Sequence, residues 1–156
     1  MAYSYLIAVD NSEASIKIAN YLTKVLRKED KITLYSVLPN PTIIYNLNEP
    51  TAIPLFAENK DVFTIFEKSK MDEMGIITEK ITKILTDSGF NKGNISVKLE
   101  TQKETTAHQI ADEAIQGKYD TIVMGKHNSS IISEFFLGSV TNKVIHLSKD
   151  IPVIVV

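Results

Sequence analysis

No cysteine occurs among the 156 residues. Disulfides, thiolate zinc sites, iron–sulfur clusters and cysteine nucleophiles are thereby excluded. Neither charge is in large excess: 17 basic residues stand against 19 acidic ones, a net charge of −2. Non-specific nucleic-acid binding needs a net basic face, so no nucleic-acid partner is expected. An anionic small ligand remains compatible, because backbone amides hold phosphate without any lysine. Long hydrophobic runs are missing too, so no membrane partner is expected. The first nine residues are apolar but have no basic lead, and Asp10 cuts them short, which argues against a signal peptide or anchor. What is present is ordinary globular composition, 44% hydrophobic and 23% charged. A single soluble, cytoplasmic domain over residues 1–156 is the expectation.

The apolar segments are short and alternate with helical patterns. Tyr5–Val9 reads as a first strand, ended by the turn or helix-start cluster Asp10-Asn11-Ser12. Ile16, Ala19, Tyr21, Leu22, Val25 and Leu26 then recur at helical spacing, and Ile32–Val37 reads as a second strand. Four of the five prolines fall between Pro39 and Asn59, where no period holds; a loop this long is mobile or functional. A long amphipathic helix follows, with Val62, Phe66, Met74, Ile77, Ile81, Ile84 and Leu85 on one face and Gly75 inside it. Ile95–Thr101 alternates cleanly, the pattern of a strand with one wet face or at a sheet edge. Thr105 or Thr106 caps a short helix that stops at Gly117. Tyr119–Met124 and Ile151–Val156 are two further apolar strands, separated by a last helix with Val140, Val144, Ile145 and Leu147. Strands alternating with helices must cross over. The fold class is therefore α/β, an open parallel sheet with helices on both faces.

In such a sheet, ligands bind beyond the carboxyl ends of strands where the winding reverses. Two ends carry unusual residues. Asp10-Asn11-Ser12 follows the first strand, and Gly125-Lys126-His127-Asn128 follows the fourth. The second cluster continues to Leu137-Gly138-Ser139-Val140-Thr141, where glycine allows close approach and a helix start presents amides suited to polyphosphate. Ser129, Ser130 and Ser139 are candidate hydroxyl donors. Gly125 and Gly138 are equally compatible with a plain turn and a plain helix entry.

Leu6-Ile7-Ala8-Val9-Asp10-Asn11-Ser12 resembles the first strand and turn of universal stress proteins. Gly125 to Val156 resembles their ATP-binding signature, Gly-x2-Gly-x9-Gly-Ser/Thr, standing here as Gly125-x2-Asn128-x9-Gly138-Ser139. The resemblance covers the whole chain in element order, is specific at the two ends and loose between Pro39 and Thr101. It implies five parallel strands in the order 3-2-1-4-5, a Rossmann-like arrangement that makes strand three an edge and puts strands one and four side by side. It also implies ATP as the cofactor. Asp10 and the backbone near Val9 would face the adenosine, and Val37 would line the adenine pocket. Met124 and Gly125 would hold the nucleotide by backbone contacts, and Asn128, Gly138, Ser139 and Val140 would cradle the phosphates. The departure is Asn128, where the motif has glycine; asparagine is the next most tolerant of positive φ. The apolar final strand would form the other edge, and the family pairs it with a second subunit, so a homodimer through Pro152–Val156 is implied.

Catalytic constellations are scarce. His108, His127 and His146 are scattered, so any metal, Mg²⁺ or Mn²⁺, would arrive with the phosphates. Gly117-Lys118 lacks the upstream glycine of a P-loop, since position 112 is aspartate. Ser12 and Ser139 have no evident His–Asp partners. The turn Asp10-Asn11-Ser12-Glu13 is not the Ser-Gly-Gly-x-Asp-Ser of related enzymes that activate substrates with ATP. Together with this absence of catalytic groups, the resemblance implies a nucleotide-dependent switch or scaffold in the stress response, with at most slow hydrolysis. The rival, favoured by Asn128, is a nucleotide-free dimeric interaction module of the same fold. Phe135-Phe136-Leu137 is read as a segment sealed onto the sheet by intramolecular packing.

Overall fold

The computed structural model describes residues 1–43, 60–126 and 137–156. Its elements are β1 (Ser4–Ala8), α1 (Glu13–Val25), β2 (Lys31–Leu38), α2 (Lys60–Asp87), a 3-10 turn (Lys92–Asn94), β3 (Ile95–Thr101), α3 (Thr106–Gln116), β4 (Thr121–Met124), α4 (Ser139–Leu147) and β5 (Val153–Val155). The strands form one parallel sheet in the order β3-β2-β1-β4-β5. β1 sits centrally, with Tyr5 opposite Ile32 on one side and Thr121 on the other. β3 and β5 are the edges.

Consecutive residues of each central strand point to opposite faces and enter different cores. Ile7, Leu34 and Val123 pack with Ile18, Leu22, Ile81 and Leu85 of α1 and α2. Leu6, Tyr35 and Ile122 pack with Ala107, Ile110 and Val144 of α3 and α4. Every one of these side chains is at most 4% exposed. At about 1.5–3 kcal/mol for each large apolar side chain buried, both layers are needed to hold the sheet.

The long helix read from the sequence is present, while several other local features differ from the sequence pattern. α2 runs unbroken through Gly75. The glycine costs about 1 kcal/mol, less than the burial of Met74, Ile81 and Leu85 around it contributes. The buried stripe of α1 is Ser15, Ile18, Ala19 and Leu22; Tyr21 and Val25 face outward. Val62 is likewise exposed, since it stands about 120° around the helix from the buried Met74. Val97, on edge strand β3, is exposed despite its place in the alternation. Thr105, not Thr106, caps α3: its hydroxyl accepts from His108 N at 3.3 Å. The strands read as Tyr119–Met124 and Ile151–Val156 shorten to β4 and β5.

Candidate functional site

The loop after β1 leads into α1 on one face of the sheet, and the chain after β4 leads to α4 on the other. The carboxyl ends of these adjacent strands therefore diverge and leave a crevice. Val9 N continues the β1–β2 ladder by donating to Tyr35 O at 2.9 Å. The chain then turns sharply. The Asp10 carboxylate accepts from Ser12 N at 2.9 Å and from the Ser12 hydroxyl. Ser15, only 2% exposed, accepts from Asp10 N at 2.9 Å and donates to Asp10 O at 2.8 Å. One buried hydroxyl thus holds both backbone groups of Asp10. Asn11 Nδ2 donates to Glu73 of α2, which also takes Lys70 Nζ at 3.0 Å, so the long helix is fastened to the same turn.

On the β4 side, Gly125 lies against α1. A Cβ at this position would stand 2.9 Å from Ala14 Cβ and 3.4 Å from Ile18 Cδ1. Glycine is required there for close approach, and its φ is not positive. Thr141 Oγ1 donates to Gly125 O at 3.3 Å and ties the first turn of α4 to the end of β4. α4 begins after Gly138, which brings no side-chain cap. A helix start leaves its first amides without intrahelical acceptors, and here they border the crevice.

The crevice is a cavity of about 190 Å³. It is bordered by eight of the nine residues singled out in the sequence: Val9, Asp10, Val37, Met124, Gly125, Gly138, Ser139 and Val140. Asn128 lies outside the described residues, as do His127, Ser129, Ser130, Phe135, Phe136 and most of the proline-rich loop. Among the described lining residues Asp10 is the sole formally charged one; Ala8, Val9, Ile18, Ile110 and Met124 make the walls largely apolar.

Other lining residues carried weaker signals. Ser15 is five positions after Asp10, Thr141 two after Ser139, and Tyr35 two before Val37, hence on the same face of the strand. Thr106 and Ile110 come from α3 and had no local signal. Tyr35 is held from behind. Its hydroxyl donates to Glu100 Oε2 at 3.0 Å; Lys98 Nζ stands 3.2 Å from Glu100 Oε1 and 2.6 Å from Glu113 Oε2. Burial, reinforced by the bond to Glu100, pushes the Tyr35 phenol well above its usual range and keeps it neutral. For Glu100, burial acts upward, but the hydrogen bonds from Lys98 and Tyr35 and the Lys98 charge outweigh it and hold the carboxyl below its ordinary value. Among the described residues, no group of three or more His, Asp or Glu is arranged to hold a metal, and no helix is long and apolar enough to cross a membrane.

The model of the universal stress protein family matches residues 4–156. No curated protein sequence matches the chain. Among solved structures, the chain is similar to hypothetical protein MJ0577, at 26% identity and a TM-score of 0.67, over 100% of this chain and 96% of that one. It is similar to the universal stress protein UspA from Lactobacillus plantarum at 17% identity and a TM-score of 0.68, over 100% of this chain and 99% of that one. The universal stress protein from Archaeoglobus fulgidus, solved in complex with dAMP, matches at 18% identity and a TM-score of 0.61, over 98% of this chain and 96% of that one.

Proposed function

The chain belongs to the universal stress protein family, and we propose that it binds ATP in the crevice between β1 and β4 and acts in the stress response as a nucleotide-dependent switch or scaffold. The observation that carries this reading is the convergence of eight motif residues from separate segments on one cavity. Its apolar walls suit a purine ring, and on this reading Asp10 and the Val9 backbone face the adenosine. Val37 flanks the base, and Met124 and Gly125 contact the nucleotide through their backbones. The amides at Gly138, Ser139 and Val140 offer neutral donors to phosphate, so binding does not depend on lysine. The dAMP complex of the Archaeoglobus relative supports an adenine nucleotide as the ligand class. The motif resemblance assigns Asn128 a role in phosphate binding, and Mg²⁺ or Mn²⁺ enters with the phosphates.

Hydrolysis is at most slow on this reading. Asp10 is the one carboxylate on the described lining, and it accepts hydrogen bonds from the Ser12 amide and hydroxyl, which leaves it poorly suited to activate water. The apolar edge strand β5 pairs with its copy in a homodimer through Pro152–Val156, which covers an otherwise open edge. Light scattering at micromolar concentration reads this directly, and a monomer mass refutes it.

The binding test is to denature purified protein and analyse the supernatant for nucleotide, with calorimetry of ATP and Mg²⁺ on the stripped protein. Released adenine nucleotide, or saturable heat, is the expected result. An empty supernatant together with no heat refutes the proposal. Asn128→Gly then separates the two readings of this position: a large gain in affinity means the native loop is impaired and favours the nucleotide-free module.

A further inference from the structure

We propose that the outer face of α2 is a second self-association surface, on which α2 of another copy of this chain packs antiparallel. The surface is distinct from β5, and the inference does not depend on nucleotide binding. α2 is apolar on two sides. Met74, Ile81 and Leu85 face the sheet and are at most 6% exposed. Ile65, nine residues before Met74 and so about 180° away around the helix, is 67% exposed, and Ile76 is 70% exposed. Packing against the sheet accounts for one apolar side of α2 and leaves these two isoleucines exposed on the other.

The outer residues follow a coiled-coil spacing. Val62, Ile65, Ser69, Asp72 and Ile76 are separated by three, four, three and four positions, the alternation that keeps a seam on one line. Ile65, Lys68, Ser69, Asp72, Ile76 and Glu73, the residue tied to Asn11, border a shallow groove on this side of the helix. The sequence of the seam is self-complementary about the Lys70–Met71 peptide. With a two-fold axis there, Ile65 lies level with Ile76 of the second copy, and Ser69 lies level with Asp72. Lys68 flanks the Asp72 side of the seam, so it stands beside the Asp72 carboxylate of the other copy. A parallel, in-register pair instead stacks Asp72 on Asp72 within the seam, and the Glu73 that Lys68 would then face is already held by Asn11 and Lys70, so this pairing is opposed. The charges therefore select the antiparallel pair, and the polar central layers set its register between two isoleucine layers.

The absence of cysteine makes disulfide trapping specific. Ile65→Cys and Ile76→Cys are prepared separately, mixed, and oxidised mildly. In the antiparallel pair position 65 of one copy faces position 76 of the other. Two copies of position 65 are separated by 11 residues of rise, about 16.5 Å along the axis, beyond disulfide reach. The expected result is at least about tenfold more cross-linked dimer in the mixture than in either variant alone. Equal cross-linking in all three samples, self-linking by each variant alone, or no link at all overturns the proposal. The last is also the result if another part of the same chain covers this face. Ile65→Asp provides a second readout. It weakens association by at least about tenfold in sedimentation equilibrium, with a thermal melt to establish folding, and an unchanged association constant for folded variant overturns the proposal.

Discussion

Replacing Gly125 with alanine tests how tightly the end of β4 and the start of α1 are pressed together. The new methyl would sit 2.9 Å from Ala14 Cβ, with Ile18 Cδ1 at 3.4 Å. Carbon atoms rest at about 3.5–4.0 Å, so the contact is roughly 0.6 Å or more too short. Neither neighbour yields easily, because Ala14 Cβ has no rotamer and Ile18 is 1% exposed. Relief requires α1 to shift, loosening the contacts of Ile18, Ala19 and Leu22 with the sheet. Overpacking of this kind costs about 1–3 kcal/mol, and Tm falls by about 2–4 °C per kcal/mol in a domain of this size. Urea unfolding of Gly125→Ala, Ala14→Gly and the double variant measures the interaction itself. Glycine at position 14 carries its own helix cost of about 1 kcal/mol, which the double-mutant cycle subtracts. A coupling of about 1 kcal/mol, with Ala14→Gly partly rescuing Gly125→Ala, is expected. Additive effects refute the contact argument, as does a Gly125→Ala protein of undiminished stability. Gly125 and Ala14 both border the cavity, so affinity for the proposed nucleotide falls along with stability.

Ser15→Ala removes the hydroxyl that serves both Asp10 N and Asp10 O; stability drops by about 1–3 kcal/mol in urea titration, with weaker ATP binding by calorimetry, and no change in either refutes the clamp. Glu100 and Asp120 are held below their ordinary values, Asp120 by hydrogen bonds from Ser4 N at 2.7 Å and the Ser4 hydroxyl at 2.8 Å. A carboxyl depressed in the folded state contributes stability above its unfolded value and loses it as pH falls through the lower folded one. Thermal melts from neutral pH downward therefore show a declining midpoint, which Glu100→Gln and Asp120→Asn each make shallower; unchanged slopes refute the assignment. Thr105→Ala removes the cap on His108 N and costs about 1 kcal/mol, read as a shift in the urea midpoint without change in slope.

Much of the crevice was legible because its motifs are local. Asp10-Asn11-Ser12 interrupts an apolar run, and Gly138-Ser139 precedes a helical one, so both announce themselves in a few residues. Ser15 was not legible as a clamp. Its value depends on the turn that brings Asp10 back over the first turn of α1, a geometry that spacing alone does not specify. The role of Gly125 was also hidden. A glycine after a strand suggests a turn, whereas its reason is Ala14, over a hundred positions earlier in the chain. Val62 and Val25 were assigned to buried faces because periodicity finds the centre of an apolar arc but not its limits, which the neighbouring element sets.

The sequence by itself determined the alternation of strands and helices, and with it a parallel sheet, since chain direction must be restored by each crossover. It also determined that no thiol chemistry is available, and that two strand ends carry residues unsuited to plain packing. The order of the strands is not written in any period. It follows from which face each crossover helix covers, and the two apolar layers settle that jointly, α1 and α2 on one side and α3 and α4 on the other. Only that tertiary packing set β1 beside β4 and turned two separate clusters into one crevice.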